Sequence, residues 1–387
     1  MLEHVDTDHV VALTQQLVRI DTRNPPGNET AAVAACREAL GPLGATIEVV
    51  EPLPGRASVV ATLPRTGKPL LVVNGHLDVV PVRASDWSRD PFGAEVDRGC
   101  IWGRGTADMK GGIASAIEAV EVLSRSGIEP AWDLAFHLVA DEERGGRHGT
   151  QVLVERGLLG KAAACLVPEP TDLDVCVAER GLLVAHLTTR GRPAHGSRPR
   201  EGISAIETAA KVVLALHAAD FDDVAHPLLG RPTANIGVIE GGSGHNTVAE
   251  SCRVTIDRRV LPGGTLASTL AAVEDKIRAI DDPDLSYDIE VEVFGEASEM
   301  DADHPFARLV ADCLHPATGR RPATIGMPFT TDARFVRNQA GVPAVVCGPG
   351  AIAQAHSTDE FVAIEQLAQA AAAFATLYAT PLPGSGG

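Results

Sequence analysis

Short apolar runs alternate with amphipathic stretches along the first part of the chain. The run "PLLVVNGH" predicts a buried strand, and "MKGGIASAIEAVEVLSRSG" predicts a helix. That helix carries its apolar residues Ile113, Ile117, Val120 and Leu123 on one face. The runs "WDLAFHLVA" and "AAACLVPE" predict two further strands. Strands that alternate with helices favour an α/β layer whose central strands are mostly parallel.

The order of the elements changes at about residue 180. The runs "GLLVAHLTTRG", "TANIGVIEGG", "ESCRVTIDRRVLPG" and "SYDIEVEVFGE" predict strands, and "GISAIETAAKVVLALHAAD" and "TLASTLAAVEDKIRAI" predict helices. In chain order they give β-α-β-β-α-β, which matches a ferredoxin-like split βαβ unit. We therefore expect an α/β domain formed by residues 1–179 and 296–387, with an α+β domain inserted at residues 180–295.

The chain has 387 residues, of which 45% are hydrophobic and 22% charged, and its formal net charge is −18. An acidic protein of this kind lacks the basic face that binds nucleic acid, and anionic membrane surfaces repel it. The N-terminal stretch spaces Val10, Leu13, Leu17 and Ile20 as in a helix and lacks the features of a signal peptide, so we expect a cytoplasmic protein. The seven cysteines form no CxxC pair, which favours reduced thiols. The tail "PLPGSGG" is predicted to be disordered.

Ligand-type side chains follow four of the predicted strands. His76 comes after "LLVVNG", Glu169 comes after "AAACLVP", and His356 lies in the loop after "AVVCGPG". The acids of "DEE" (141–143) follow "LAFHLVA", and Asp108 lies in the Gly-rich stretch "GRGTADMKGG" that opens a helix. Each feature alone is typical of a solvated turn or strand end. The carboxyl ends of strands in an open α/β sheet meet at one edge, however, so we expect these residues to lie together.

Two histidines combined with several carboxylates and no cysteine indicate a divalent metal site. Imidazole and carboxylate ligands suit Zn²⁺, Co²⁺ or Mn²⁺, whereas Mg²⁺ and Ca²⁺ favour oxygen ligands alone. The two histidines and at least three carboxylates are more ligands than one tetrahedral zinc ion needs. Two ions that share one bridging carboxylate account for all of them. Asp78, two residues after His76, is placed to accept the free imidazole N–H and to fix the tautomer of that ring.

Several motifs resemble those of the M20 metallopeptidase and deacylase family in order and spacing. They are "GHLDVVP" (75–81), "GRGTADMKGG" (103–112), "ADEERGG" (140–146), "PEPT" (168–171) and "GPGAIAQAHSTDE" (348–360). The family includes acetylornithine deacetylase, succinyl-diaminopimelate desuccinylase, aminoacylase and carboxypeptidases, and "GTADMKG" looks most like the acetylornithine deacetylase branch. The resemblance covers nearly the whole chain, including the inserted domain. It is specific for the family and only suggestive of the substrate.

The resemblance implies a pair of co-catalytic metal ions, usually zinc, and gives each ligand a role. By match of motif, the ligands are His76 and Glu169 for one ion, Glu143 and His356 for the other, and Asp108 as the bridge. Asp78 then orients His76, and Glu142 is the general base for the attacking water. The peptide bond after Asp108 is often cis in the family.

The resemblance also implies substrate contacts. His195, in "GRPAHGSRP", matches a histidine of the inserted domain that donates to the oxyanion, often across a dimer. Asn246, in "GGSGHNTVAE", and Thr331, in "GMPFTTDARF", match substrate-side positions. Arg258, in "DRRVLPG", matches a strand arginine suited to grip a substrate carboxylate, with a structural ion pair as the alternative. Its neighbour Arg259 lies on the opposite strand face, so only one of the two points towards the site.

The main functional expectation is a metal-dependent amidohydrolase that removes an acetyl- or succinyl-type group from an amino acid such as N-acetylornithine. A dipeptidase or carboxypeptidase of the same family stays open, because dipeptides and N-acyl amino acids both carry a free carboxylate. A non-catalytic binding protein predicts the loss of a ligand or of the base, and an Mg²⁺ phosphohydrolase has no need of two histidines; both are less favoured. The inserted domain is expected to act as a lid and to form a homodimer, the commonest oligomer.

Overall fold

The computed structural model describes residues 1–221 and 224–383, so the last four residues of the tail "PLPGSGG" lie outside the described part. The strands are β1 (Thr46–Val50), β2 (Ser58–Thr62), β3 (Leu70–His76), β4 (Glu95–Asp97), β5 (Cys100–Trp102), β6 (Asp133–Val139), β7 (Ala162–Val167), β8 (Val175–Glu179), β9 (Gly181–Arg190), β10 (Thr233–Gly241), β11 (Ser251–Val260), β12 (Ser286–Gly295), β13 (Ser298–Glu299), β14 (Thr324–Met327), β15 (Ala344–Val346) and β16 (Phe361–Ala363). The helices are α1 (Thr7–Val18), α2 (Val33–Leu40), α3 (Gly111–Ser126), α4 (Thr150–Glu155), α5 (Ala205–Leu216), α6 (Leu266–Arg278), α7 (Pro305–Thr318), α8 (Ala333–Asn338) and α9 (Ile364–Ala379).

The chain forms two compact units. The first unit comprises Met1–Val177, Met300–Ile325 and Thr331–Gly387. The second unit comprises Ala178–Glu299 and Gly326–Thr330. Among the described residues, no helix combines the length and the apolar character that crossing a bilayer requires.

The first unit is built on a sheet whose strands lie in the order β1-β2-β6-β3-β7-β15-β8. Strands β6, β3, β7 and β15 run parallel, whereas the pairings towards both ends of this order are antiparallel. Almost every residue of β3 and β6 is buried, as expected of apolar strands that are covered on both faces. The predicted α/β layer with parallel central strands is therefore confirmed.

Close packing brings two helices directly to the ends of strands. A β-carbon at Gly112 would lie 1.9 Å from the carbonyl oxygen of Pro168, and one at Gly149 would lie 1.8 Å from that of Ala140. No side chain fits at these distances, so glycine is required at both positions. It allows α3 to begin beside the end of β7 and α4 to begin beside the end of β6.

A small antiparallel sheet, β16-β5-β4, was not predicted from the sequence. Its strands have three residues each, too few to display a clear alternation of apolar and polar positions. The pairing of β16 with β5 places the residues before β16 next to the Gly-rich stretch after β5. The backbone N–H of Gly103 donates to the carbonyl of Glu360 at 2.8 Å, which continues this pairing.

The second unit contains a four-stranded antiparallel sheet in the order β10-β11-β9-β12. Residues of β9 and β11 alternate between buried and more exposed positions, and their buried face packs against α5 and α6. Ser204 caps α5 by accepting from the N–H of Glu207, and Thr265 and Ser268 form a capping box at the start of α6. The order β9-α5-β10-β11-α6-β12 is the predicted β-α-β-β-α-β arrangement.

Candidate metal centre

The ligand-type residues predicted from the sequence lie together in the first unit. His76 is the last residue of β3, Glu169 follows β7, and Glu143 lies in a short 3-10 helix after β6. Asp108 lies in the turn before α3, and His356 lies in the loop between β15 and β16. They form two groups of potential ligands, His76 with Asp108 and Glu169, and Asp108 with Glu143 and His356. Within each group the ligand atoms all lie within 4.8 Å of one another.

Asp108 presents one carboxylate oxygen to each group. His76 Nε2 lies 2.9 Å from Asp108 Oδ1 and 3.5 Å from Glu169 Oε1. His356 Nε2 lies 3.3 Å from Asp108 Oδ2 and 3.0 Å from Glu143 Oε2. The donor atoms are imidazole nitrogens and carboxylate oxygens, which fit two neighbouring divalent transition-metal ions that share a carboxylate. The peptide bond between Asp108 and Met109 is cis, as the family resemblance implied.

The charges of this cluster strongly perturb one another. Burial lowers the pKa of His76, but the Glu169 and Asp108 carboxylates outweigh it and raise that pKa well above its usual value. Hydrogen bonds to Asp108 and Glu143 raise the pKa of His356 to about 11. Burial and the Asp108 charge raise the pKa of Glu169 to about 8. Carboxylates packed this closely need bound protons or cations to balance them.

Glu142 belongs to neither ligand group, although it is adjacent to Glu143. Burial raises the pKa of Glu142 well above its usual value. Its backbone N–H donates to Asp78 Oδ1 at 3.1 Å, and the backbone N–H of Glu143 donates to Asp78 Oδ2 at 3.2 Å. The turn that carries both glutamates is therefore anchored on the Asp78 carboxylate.

The structure corrects the expected role of Asp78. His76 Nδ1 lies 2.8 Å from the backbone carbonyl oxygen of Asp78, whereas the nearer carboxylate oxygen is 3.6 Å away. The carbonyl is thus the imidazole partner, and the carboxylate is occupied by the N–H groups of Glu142 and Glu143. It also accepts a hydrogen bond from Asn24 Nδ2 at 2.9 Å. Asp78 still orients His76, but through its main chain.

Asp141, for which no chemical role was predicted, is buried and supports the same turn. Its carboxylate accepts from Arg56 Nη2 at 2.6 Å and from the backbone N–H of His148 at 3.0 Å, and it lies 3.3 Å from Asn24 Nδ2. Arg56 also pairs with the buried Glu29 at 3.0 Å. No sequence motif pointed to Asn24 or Arg56, because neither follows a predicted strand or lies beside another ligand-type residue.

Two of the predicted substrate contacts lie together in the second unit. His195 forms an isolated antiparallel bridge with Thr247, and the N–H of Gly196 donates to the carbonyl of Asn246 at 2.7 Å. The side chains of His195 and Asn246 are exposed, and His195 Nδ1 lies 2.8 Å from the Ser197 hydroxyl. The segments that carry His195 and Asn246 are therefore neighbours, although they are far apart in sequence.

Arg258 lies on the helix-facing side of its sheet. It is buried, its Nη1 donates to the Thr269 carbonyl at 2.8 Å, and its guanidinium stacks on Phe221 at 3.7 Å from the ring centroid. Arg259 takes the opposite face and pairs with Asp257. This geometry favours the structural alternative for Arg258. The sequence already indicated this burial, because Arg258 is separated by even numbers of residues from the apolar positions of the strand and therefore shares their face.

Thr331, the remaining predicted substrate contact, is also buried. Its hydroxyl accepts from the N–H of Ala333 at 3.1 Å, and its carbonyl accepts from Arg334 Nη1 at 2.9 Å. These contacts belong to the start of α8. Its neighbour Asp332 is buried as well, and it accepts from the Thr150 hydroxyl at 2.7 Å.

A family model described as peptidase family M20/M25/M40 matches residues 72–380 of the chain. N-formyl-4-amino-5-aminomethyl-2-methylpyrimidine deformylase from Bacillus subtilis is 30% identical over 94% of this chain and 92% of its own length. Succinyl-diaminopimelate desuccinylase from Maricaulis maris is 34% identical over 72% and 73% of the two chains. Acetylornithine deacetylase from Vibrio cholerae is 30% identical over 91% of both.

Solved structures share the fold along nearly the whole chain. The aminopeptidase PepT from Bacillus cereus has a TM-score of 0.81 at 23% identity and covers 97% of this chain and 99% of its own. A dinuclear metal-binding peptidase of the M20 family from Bacillus subtilis has a TM-score of 0.69 at 14% identity, with coverage of 96% and 97%.

Proposed function

The chain belongs to peptidase family M20/M25/M40 and is a metallohydrolase that acts on amide bonds, and from that premise we propose that it removes an acetyl- or succinyl-type group from an amino acid. The observation that carries this proposal is the pair of ligand groups that share Asp108. His76 and Glu169 would hold one divalent ion, Glu143 and His356 would hold the second, and Asp108 would be a ligand of both. The donor set suits Zn²⁺, with Co²⁺ or Mn²⁺ as substitutes.

The protein residues around this centre supply the proton transfers. When bound, two divalent ions act as Lewis acids on the scissile carbonyl and on the attacking water. Glu142 accepts a proton from that water and passes it to the leaving nitrogen, so that the amide C–N bond breaks and an amine leaves. Burial raises the pKa of Glu142 above its usual value, which is the direction that favours holding a proton between the two transfers. His195 is proposed to donate a hydrogen bond to the oxyanion of the tetrahedral intermediate.

The relatives support an N-acyl substrate. Two of them are named for removing an acetyl or a succinyl group from an amino acid, and a third is a deformylase for an aminopyrimidine. All three names describe hydrolysis of an N-acyl bond. A dipeptidase remains the second candidate, because an aminopeptidase has the same fold.

A substrate panel with the metal-reconstituted enzyme tests the proposal. N-acetylornithine, N-succinyl-diaminopimelate, an N-formyl aminopyrimidine and a set of dipeptides are compared by kcat/KM. We expect the highest values among the acetyl and succinyl amino acids. A preference for dipeptides or for the formyl pyrimidine by a factor of ten or more would overturn the assignment of substrate class.

Replacing Glu142 tests the base. Glu142→Gln is expected to lower kcat by about 10²–10⁴-fold while metal content stays unchanged, because the amide keeps the shape but accepts no proton. Glu155→Gln, an exposed glutamate at the end of α4, is the matched control and is expected to retain full activity. Wild-type turnover in the Glu142 variant would exclude the proposed role.

The homodimer and the role of His195 stay predictions with a direct test. Light scattering of the active enzyme gives its mass, and His195→Ala is expected to lower kcat more than it changes KM. An active enzyme that is strictly monomeric would exclude a contribution of His195 across a dimer.

A further inference from the structure

Glu360 is a fully buried carboxylate whose recorded partners all donate hydrogen bonds to it. Its oxygens accept from the backbone N–H groups of Gly105 at 3.1 Å, Ala107 at 2.9 Å and Asp108 at 3.1 Å. Arg104 Nη1 donates at 2.5 Å. A carboxylate can accept all of these hydrogen bonds at once. An amide or a protonated acid would instead point an N–H or O–H group at one of the N–H donors.

These contacts join two segments that both carry ligands of one candidate ion. Asp108 belongs to the segment 103–108, and His356 belongs to the segment 356–360 that ends at Glu360. Asp108 and Glu360 are 252 positions apart in the chain. Arg104 also reaches the His356 carbonyl at 3.4 Å, and the Glu360 carbonyl accepts from the N–H of Gly103 at 2.8 Å. Glu360 thus lies at the junction that sets the distance between Asp108 and His356.

We propose that Glu360 is a positioning residue that fixes Asp108 relative to His356 and thereby sets the affinity of the metal site formed by Asp108, Glu143 and His356. The inference rests on the proposed function in one respect, namely that these residues bind metal. The inference goes beyond the proposed function because Glu360 belongs to neither ligand group, yet it is assigned control over the affinity of one metal site more than of the other.

The two metal sites are expected to respond differently to a change at Glu360, because their other ligands belong to different segments of the chain. His76 and Glu169 are held by the ends of β3 and β7, and neither is bonded to Glu360. Two contacts link the first site to this junction: Asp108 Oδ1 lies 2.9 Å from His76 Nε2, and the Sδ atom of its neighbour Met109 accepts from the His76 N–H at 3.1 Å. Glu360→Gln places an NH₂ group among N–H donors and removes the charge that faces Arg104, so the segment 103–108 must shift. Residues that orient metal ligands typically change the affinity about 10–100-fold when replaced.

The test is a calorimetric titration of metal-free protein with Zn²⁺, repeated with Co²⁺ so that absorption follows each site. His76→Ala and His356→Ala assign the two binding steps. For Glu360→Gln we expect the step that depends on His356 to weaken by about 10–100-fold and the other by less than about threefold. Glu360→Asp keeps the charge on a shorter side chain and is expected to recover part of the loss.

Asp359→Asn is the matched control. Asp359 is the preceding residue and also accepts a backbone N–H, that of Ser88 at 2.9 Å, but none of its recorded bonds reaches the segment 103–108. We expect both steps to be unchanged in this variant. Equal weakening of both steps in Glu360→Gln, or a lower melting temperature of the metal-free protein with both affinities intact, would mean that Glu360 only supports the fold and would overturn the inference.

The binding data separate this inference from the proposed function. Selective loss of one step in Glu360→Gln supports the inference even if the wild-type enzyme hydrolyses none of the N-acyl amino acids. Conversely, an active wild-type deacylase whose Glu360→Gln variant binds both ions normally would refute the inference and leave the function standing.

Discussion

Replacing Asp78 by Asn separates two accounts of how the turn that carries Glu142 and Glu143 is held. In the structure the Asp78 carboxylate accepts the N–H groups of Glu142 and Glu143 at 3.1 and 3.2 Å and the Asn24 amide at 2.9 Å. The imidazole of His76 instead contacts the Asp78 carbonyl, which asparagine retains. The Asp78→Asn variant should therefore leave His76 in place and disturb the turn that carries the two glutamates.

The size of the effect follows from these three hydrogen bonds. The side chain is fully buried, so an NH₂ group in place of one oxygen leaves at least one N–H without an acceptor, at a cost of about 1–3 kcal/mol. The remaining bonds lose their charge assistance, which makes them roughly half as strong. We expect the free energy of unfolding of the metal-free protein to fall by roughly 2–4 kcal/mol. The binding step that depends on Glu143 should weaken by about 10–100-fold.

Urea unfolding of the metal-free protein and calorimetric titration with Zn²⁺ measure the two quantities. Asp86→Asn, an exposed aspartate of the same unit, serves as the control and is expected to change neither. A loss confined to the step that depends on His76 would show that the Asp78 carboxylate acts on the imidazole after all. That result would refute the reasoning from the observed hydrogen bonds.

Three further outcomes are expected. Removal of the metal ions by a chelator is expected to lower the Tm, because an ion present at 100 times its Kd stabilises the folded state by about 2.7 kcal/mol. Scanning calorimetry measures this change, and an unchanged Tm would contradict the prediction. Arg258→Ala is expected to lower the free energy of unfolding by roughly 2–3 kcal/mol, because it removes the hydrogen bond to Thr269 and the contact with Phe221. Arg259→Ala removes only a partly exposed ion pair and is expected to change that free energy by less than about 1 kcal/mol. Burial lowers the pKa of His137 to about 4, so between pH 6.5 and 4 the unfolded chain binds a proton that the folded chain excludes. Stability then falls by up to about 3 kcal/mol as the pH drops through that window, and His137→Phe should remove this slope in urea titrations at several pH values.

The sequence predicted the elements that depend on long periodic patterns. Apolar runs marked the central strands β3, β6 and β7, and helical spacing marked α1 and α3. The strands of the β16-β5-β4 sheet and the short helix α8 were missed, because three to six residues display too little periodicity to distinguish a strand or helix from a loop. For Arg258 the sequence left a substrate contact and a structural role open, although its parity with the apolar residues of β11 already placed it on their face of the strand.

The sequence by itself determined which ligand-type residues gather at the edge of the sheet, since they follow strands whose carboxyl ends must meet there. Only the tertiary structure decided what holds them. Hydrogen-bond partners such as Glu360 for Asp108 lie 252 positions apart in the chain, and Arg56 for Asp141 lies 85 positions away. No local sequence pattern predicts such pairs. A pattern specifies only which face or strand end a residue occupies, whereas a hydrogen bond requires its two atoms to be placed to within tenths of an ångström. The three acids of "DEE" thus became distinct residues only in the fold, where Asp141 supports the turn, Glu143 faces His356, and Glu142 stands apart from both ligand groups.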